Sequence, residues 1–354
     1  MITFVLGTRA ELIKTMPIMK ELEKRGIDYC FIHTGQHNID ELLKEFRMKK
    51  PDYQLDYPDK VAGRFKNLFQ TFLWNIKVGI KLSCLLKKIN PEYVIVQGDT
   101  MSTAVASFFT KVLLFNRPKV CHVEAGLRSH SILEPFPEEI CRRIADFFAD
   151  ILFAPTKEAA KNLKSKQVYI VGNTVIDAVK LIKQKIKKSK KSNFIIAMVH
   201  RQENIKSKTR MIKFIKIITK LKKKYKILFI SHPHSVDCLK KFDLWKYIEG
   251  DSQIKINELL KYSKFIRLLI KSKGIITDSG GIAEECCELK KPCLIFRKKT
   301  ERVEAIKAGF AKIIFDSNIN EIKSFLEKNI NQNVKNPYGD GTTSKKIVDI
   351  LLRE

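Results

Sequence analysis

The sequence predicts an α/β protein of two parallel-sheet domains of similar size, and three observations carry that expectation. Its 354 residues are too many for one small core and imply about two domains at ~100–200 residues each. Apolar residues at 44% beside charged residues at 30% supply enough buried surface for ordinary globular domains. Short apolar runs ending in Gly, Asp or His alternate with longer stretches of helical periodicity, the pattern of a parallel sheet with covering helices.

In chain order, residues 2–6 (ITFVL) read as a buried strand followed by Gly7-Thr8. Leu12, Met16, Met19 and Leu22 recur at helical spacing until Arg25-Gly26 closes the segment, with a bend expected at Pro17. Further strands are expected at 30–33, 93–97, 120–123 and 151–154, with helices between them and another over 156–163. The stretch 168–171 is expected to open a second series, continued at 194–199, 227–230, 274–277, 292–296 and 312–315. A lysine-rich stretch at 183–192 interrupts that series as a surface helix end or loop would. The close, NPYGDGTTSKKIVDILLRE, sets a Pro/Gly turn before a short helix with Ile347, Ile350 and Leu351 on one face, suited to return to the first domain. The expected division is 1–168 with the terminal helix 342–354, and 169–341.

Several classes are disfavoured. No run of ~18 apolar residues suits a membrane span, and MITFVLGTRAELIK lacks a basic leader, so a cytoplasmic chain is expected. The eight cysteines (Cys30, Cys84, Cys121, Cys141, Cys238, Cys286, Cys287, Cys293) show no C-x-x-C pair or zinc spacing and read as small core residues of a reducing compartment. Lys+Arg at 67 against Asp+Glu at 38 gives +29, a charge that attracts nucleic acid, acidic membranes or phosphorylated small molecules. Most of the excess is lysine spread over helical stretches, as in KLIKQKIKKSKKS and KLKKKYK. No patch interleaves aromatics with arginine, so a specific nucleic-acid partner is not expected.

In doubly wound sheets, ligands sit beyond the C-terminal strand ends, where helix N-termini offer free N–H groups. Five such ends are loaded with polar residues. Gly7-Thr8-Arg9 pairs a close backbone approach with a cation, and Lys14 follows. Gln97-Gly98-Asp99-Thr100 puts a carboxylate at a strand end, as a helix cap or a catalytic group. In HVEAGLRSHSILEPFPEEICRRIADFFAD, Glu124 leaves a strand and Pro137 suits a helix start, placing Glu138 and Glu139 in its first turn. Glu139 is expected to pair with Arg142 or Arg143, and Ile140, Ile144 and Phe147 to form the buried stripe of that helix. His200-Arg201-Gln202-Glu203-Asn204 is a fourth end. Ser279-Gly280-Gly281 opens IAEECCEL as an anion cradle of backbone N–H groups, with Glu284 or Glu285 one turn in, placed to accept ribose hydroxyls. This turn matches neither the P-loop nor the G-x-G-x-x-G spacing. Anion-binding groups in both halves with carboxylates Asp99, Glu124 and Glu138 in the first suit a cleft holding a nucleotide diphosphate and a reacting sugar.

The strings GTRAELIK, TGQH, QGDT, HVEAGLR, PFPEE, HRQEN, DSGGIAEE and TERVEAIKAG occur in the order and approximate spacing of the non-hydrolysing UDP-N-acetylglucosamine 2-epimerases, which the chain resembles over nearly its whole length. The resemblance implies two Rossmann-like domains facing a cleft, a glycosyltransferase-B arrangement with the last helix crossing back. It also implies a homodimer. Carried over by motif, Asp99, Glu124 and Glu138 match the family's catalytic carboxylates. Arg9, Lys14, His200, Ser279, Gly280 and Glu285 match its UDP-contacting set, with Gly281 in the same turn; His200 is also counted among the catalytic candidates. Gln36 matches a position near the site where bacterial members bind a second UDP-sugar as activator. Ala10, Cys141, Ala283, His234 and Val303 depart from the family's usual residues, and none of them removes a catalytic carboxylate.

The implied chemistry is anti elimination of UDP to a 2-acetamidoglucal, followed by re-addition after protonation of C2 from the opposite face. It yields UDP-ManNAc for polysaccharide or glycan synthesis and needs no cofactor and no metal. It asks for stabilisation of a leaving diphosphate and for proton-transfer groups on both faces of C2. Three close carboxylates should leave one protonated beside a base, and the sequence leaves open which is which. The alternative is a hydrolysing relative that releases ManNAc and UDP.

Overall fold

The computed structural model describes residues 1–354 except 57–67, 115–117, 130–136, 165–166, 187–191 and 329. Thirteen strands among the described residues form two parallel sheets. The first contains β1 (Ile2–Leu6), β2 (Tyr29–His33), β3 (Tyr53–Gln54), β4 (Tyr93–Gln97), β5 (Lys119–Val123), β6 (Ile151–Ala154) and β7 (Gln167–Ile170), in the order β3-β2-β1-β4-β5-β6-β7. The second contains β8 (Phe194–Met198), β9 (Lys226–Ser231), β10 (Ile254–Glu258), β11 (Gly274–Thr277), β12 (Cys293–Ile295) and β13 (Ala311–Ile313), in the order β10-β9-β8-β11-β12-β13. The fold class is therefore the one expected, two Rossmann-like α/β units.

The chain divides into Met1–Ala178 with Tyr338–Glu354, and Val179–Pro337. Central strands are apolar end to end because helices cover both faces of a parallel sheet, and every residue of β1, β2 and β4 is buried. In the first unit, Val5, Ile32, Val94, Val96 and Val120 pack with Trp74, Val78, Leu82 and Leu86 of the Leu68–Ile89 helix. In the second, Ile195, Ile227, Phe229, Ile276 and Leu294 pack with Phe214, Ile218 and Leu221 of the Lys208–Leu221 helix.

Each sheet changes direction once, between β1 and β4 and between β8 and β11. At such points the outgoing helices diverge and open a crevice at the C-terminal strand ends. The Gly7-Thr8-Arg9 and Gly98-Asp99 turns follow β1 and β4, and His200 and Asp278-Ser279 follow β8 and β11. Four of the five strand ends singled out by sequence thus stand at the two switch points, and the fifth, carrying Glu124, follows the neighbouring β5.

Some expectations are corrected. Residues 168–171 do not open the second series: β7 pairs with β6 as the last strand of the first sheet. The Glu138–Phe148 helix turns its apolar stripe outward, with Phe147 72% exposed and Ile140 37%. It buries Glu139, Cys141, Arg142, Ala145 and Asp146 instead. Six cysteines are buried, but Cys84 is exposed and Cys238 only partly covered; all eight are free thiols.

The terminal Thr343–Leu351 helix packs on the Arg9–Lys24 helix. Ile347, Val348 and Leu351 are buried there, and Arg25 Nη1 donates to Asp349 Oδ1 at 2.7 Å. Asp177 accepts from Ser344 N at 2.9 Å and Ser344 Oγ at 2.6 Å. The last seventeen residues therefore belong to the first unit, as the terminal-helix reading expected. Among the described residues no helix is long and apolar enough to cross a membrane.

Candidate functional site

In the first unit the turn after β1 is built by Glu11. Thr8 caps the Arg9–Lys24 helix and forms a capping box with Glu11. Glu11 is fully buried: its Oε2 accepts from Gly7 N at 2.9 Å and Thr8 N at 2.6 Å, and its Oε1 from Thr100 Oγ1 at 2.7 Å and Thr103 Oγ1 at 2.9 Å. One side chain therefore ties the β1 and β4 switch-point turns together. Burial pushes its carboxyl pKa up against these hydrogen bonds. Gly7 has no room for a side chain, since a Cβ would meet Ser102 Oγ at 2.0 Å and Thr34 Oγ1 at 2.3 Å. Ser102 also donates to Gln36 Oε1 at 2.8 Å, which links the candidate activator position to the helix that begins after Asp99.

Asp99 follows Gly98, whose φ is +77°, and its side chain is 32% exposed. Arg142 of the Glu138–Phe148 helix bonds it, and the other arm of that guanidinium donates to Glu139 Oε2 at 2.8 Å. Glu139 also accepts from Ser129 N at 3.1 Å, Ser129 Oγ at 3.2 Å and Arg143 Nε at 3.0 Å. It is wholly buried and committed to its partners, and both expected arginine pairings are present.

Glu138, at the start of the same helix, is only partly buried. It and Asp99 both act on the Cys141 thiol, whose pKa is pushed up to about 12, mainly by burial and then by the charges of Asp99 and Glu138. The Pro135-Phe136 part of the PFPEE motif lies outside the described residues.

Glu124 leaves β5 with φ +70°, a left-handed conformation that costs a non-glycine residue free energy and persists where the surroundings impose it. Its side chain is nearly buried. Lys14 Nζ lies 2.5 Å from its Oε2, and the Gln97 amide bonds the same oxygen. Lys14, matched by motif to the UDP set, stands here as the counter-charge of Glu124. The structure thus draws Asp99, Glu124 and Glu138 toward one end of the first sheet, with Arg142 and Lys14 among them. Arg9 lies farther out, 3.4 Å from Glu41.

In the second unit the organising residue is Asp278, which the sequence reading passed over. It is fully buried and accepts from His200 N at 3.1 Å, Arg201 N at 2.9 Å and Asn204 Nδ2 at 3.0 Å, so it clamps the end of β8 to the end of β11. His200 Nδ1 lies 3.2 Å from Asp278 Oδ1, at ion-pair rather than aligned hydrogen-bond geometry. Burial would raise the Asp278 pKa; the charge of nearby His200, with the Asn204 and Arg201 donors, outweighs it and holds the group at about 2.

Ser279 precedes the Gly280–Leu289 helix and makes no side-chain cap, and a Cβ at Gly281 would meet nothing within 4 Å. The Ser279 hydroxyl is thus not spent on capping, while Gly280 stands against Glu301, whose Oε1 a Cβ there would meet at 2.6 Å. Glu284, offered above as a ribose acceptor, is instead fully buried in an ion pair with Arg302 at 2.6 Å. Glu285 accepts from the Tyr262 hydroxyl at 2.8 Å. The pairing of Arg142 with Asp99, and the partners Asp278 and Arg302, were missed because these contacts reach across 43, 78 and 18 residues, and no local pattern marks such pairs.

Comparison with known proteins gives a family and a fold. The family model described as UDP-N-acetylglucosamine 2-epimerase matches residues 20–352. The UDP-N-acetylglucosamine 2-epimerase of Methanocaldococcus jannaschii is 34% identical over 376 residues, covering 99% of this chain and 98% of its own. A crystal structure of the M. jannaschii UDP-GlcNAc 2-epimerase in complex with UDP-GlcNAc and UDP matches with a TM-score of 0.86 at 32% identity, over 100% of this chain and 99% of that one. The MurG structure of Acinetobacter baumannii, at 13% identity and a TM-score of 0.56 over 100% of this chain and 99% of that one, shares the glycosyltransferase-B-like fold alone.

Proposed function

Because the chain belongs to the UDP-N-acetylglucosamine 2-epimerase family, we propose that it interconverts UDP-GlcNAc and UDP-ManNAc without net hydrolysis, by elimination and re-addition of UDP. The observation that carries this reading is the gathering of Asp99, Glu124 and Glu138 at one sheet end, with Arg142 on the first and Lys14 on the second. Inverting C2 needs one group to remove its proton and another to return one to the opposite face, and carboxylates held by fixed cations suit that task. Neighbouring groups of one sign differ in their readiness to ionise, so an acid and a base can coexist in one site.

The second unit supplies the diphosphate contacts. His200 on its Asp278 anchor and the Ser279–Gly281 helix start are donors set before the leaving group departs, and each such donor is worth ~10²–10³ in rate. By its motif Arg9 of the first unit is a UDP contact in its own right, and Glu285, oriented by Tyr262, is a nucleoside contact of the second. Gln36, bonded to Ser102, is the activator-side contact. The reaction as written calls on no metal and no nicotinamide.

Incubation with UDP-GlcNAc in D₂O is expected to place deuterium at C2 of the recovered nucleotide sugar, read by NMR, with nearly all UDP returned to the sugar. Unlabelled UDP-ManNAc would rule out the elimination route. Stoichiometric free UDP with free ManNAc would instead assign the hydrolysing reaction.

We also propose a homodimer built on the apolar face of the first unit. Phe72, Val112, Leu113, Ile140 and Phe147 are exposed on three helices that pack side by side, and apolar side chains left exposed on neighbouring elements suit an association site. Phe147→Asp is expected to yield a folded monomer in sedimentation velocity while the parent chain runs as a dimer. A monomeric parent chain would refute this face as a contact.

A further inference from the structure

Beneath the carboxylates lies a buried cluster to which the proposed reaction assigns no role. His122, in the interior of β5, has no solvent exposure. Its Nε2 is 2.8 Å from the carbonyl oxygen of Gly98 and its Nδ1 is 2.8 Å from Asp146 Oδ1. A carbonyl oxygen only accepts, so Nε2 carries a proton. On the other side, Asp146 Oδ2 lies 2.6 Å from Arg128 Nη1, and both Asp146 oxygens lie 3.3 Å from Gly126 N. The Arg128 guanidinium and the Gly126 N–H both donate to Asp146, the environment of an ionised carboxylate, so Nδ1 faces an acceptor as well. A neutral imidazole has one N–H and cannot serve two acceptors.

We infer that His122 is a buried imidazolium, a positioning residue that joins the Gly98 carbonyl before Asp99 to the Asp146 anchor behind Glu124. The site around it is one in which such a cation survives. A buried charge is costly unless paired and hydrogen-bonded, and here the counter-ion is in direct contact. Asp146 sits below the ordinary carboxylate range: burial raises its pKa, and the hydrogen bond and charge of His122, with Arg128, more than offset the rise.

The structural consequence is local. Gly98, Glu124 and Gly126 all hold positive φ, at +77°, +70° and +83°, and the His122–Asp146 pair bonds the backbone at the first and last of them. Two turns that would otherwise relax independently are held in one frame. This role rests on the reading that Asp99 and Glu124 carry out proton transfer; the protonation state does not.

The test has two arms. In protein labelled with ¹⁵N-histidine, long-range ¹H–¹⁵N spectra at neutral pH are expected to show both ring nitrogens of His122 protonated. The signal is assigned through His122→Gln or, should that variant not fold, by elimination through the other six histidines. A single neutral tautomer at His122 overturns the proposal whatever the enzyme does. In the second arm His122→Gln, whose one amide nitrogen cannot span both acceptors, is expected to lower kcat by ~10²-fold with KM little changed, the size of effect that a misplaced catalytic group produces. An unaltered kcat in the folded variant overturns the positioning role. A doubly protonated His122 in a chain with no epimerase activity would leave the imidazolium standing and remove only the functional reading.

Discussion

Asp99→Asn is expected to lower kcat by ~10²–10⁴-fold while leaving UDP affinity nearly unchanged. The substitution preserves shape, and the amide oxygen still accepts from Arg142, so the ion-paired helix start and the turn after β4 remain in place. What is lost is the capacity to take up and release a proton at a side chain that retains 32% of its exposure at the switch point. The groups assigned to the diphosphate, His200 and the Ser279–Gly281 turn, belong to the other unit and are untouched. Single-turnover rates with UDP-GlcNAc and calorimetric titration with UDP separate the two effects. Full turnover in the variant would remove Asp99 from the proton-transfer set. A parallel loss of UDP binding would move it to a ligand-holding role.

That this experiment can be framed from sequence owes much to the physics of parallel sheets. A central strand covered on both faces must be apolar throughout, so 93–97, 151–154 and 274–277 were legible as strands, and the polar residue that ends each apolar run marks the ligand side. Edge strands lack that signature. Tyr53–Gln54 is short and exposed, and Ile254–Glu258 buries mainly its first residue, so neither stood out as a strand. β7 was legible as a strand and misplaced, because proximity along the chain does not state which sheet a strand joins. The outward stripe of the Glu138–Phe148 helix failed for a related reason. Periodicity locates an apolar face, but the opposite face carries Glu139, Arg142 and Asp146, whose partners lie on Asp99, Ser129, His122 and Arg128. Those tertiary pairings outweigh the gain from covering Phe147. The individual carboxylates were legible through their motifs, and Lys14 and Arg142 were named too, but not as the partners of Glu124 and Asp99.

The second large effect is a loss of stability. Arg142→Met is expected to destabilise the first unit by about 3–5 kcal/mol, the cost of breaking a buried ion pair by removing one partner. Arg142 is 1% exposed and Glu139 has no exposure, so the carboxylate, left with the half-exposed Arg143 as its cation, cannot recruit water. Its remaining donors, Ser129 and Arg143, already bond it and offer nothing new, while Asp99 loses its own cation at the same stroke. The chain has two tryptophans, Trp74 in the first unit and Trp245 in the second. In a Trp245→Phe background the fluorescence of buried Trp74 therefore reports denaturant unfolding of the first unit alone. Adding Glu139→Gln to Arg142→Met removes the under-compensated buried charge, so the double variant is expected to recover part of the loss, whereas independent sites would add. A loss under ~1 kcal/mol, the scale of an exposed pair, would show that Glu139 is rescued by protonation or solvent, and the rigid frame inferred around Asp99 would then lose its principal tie.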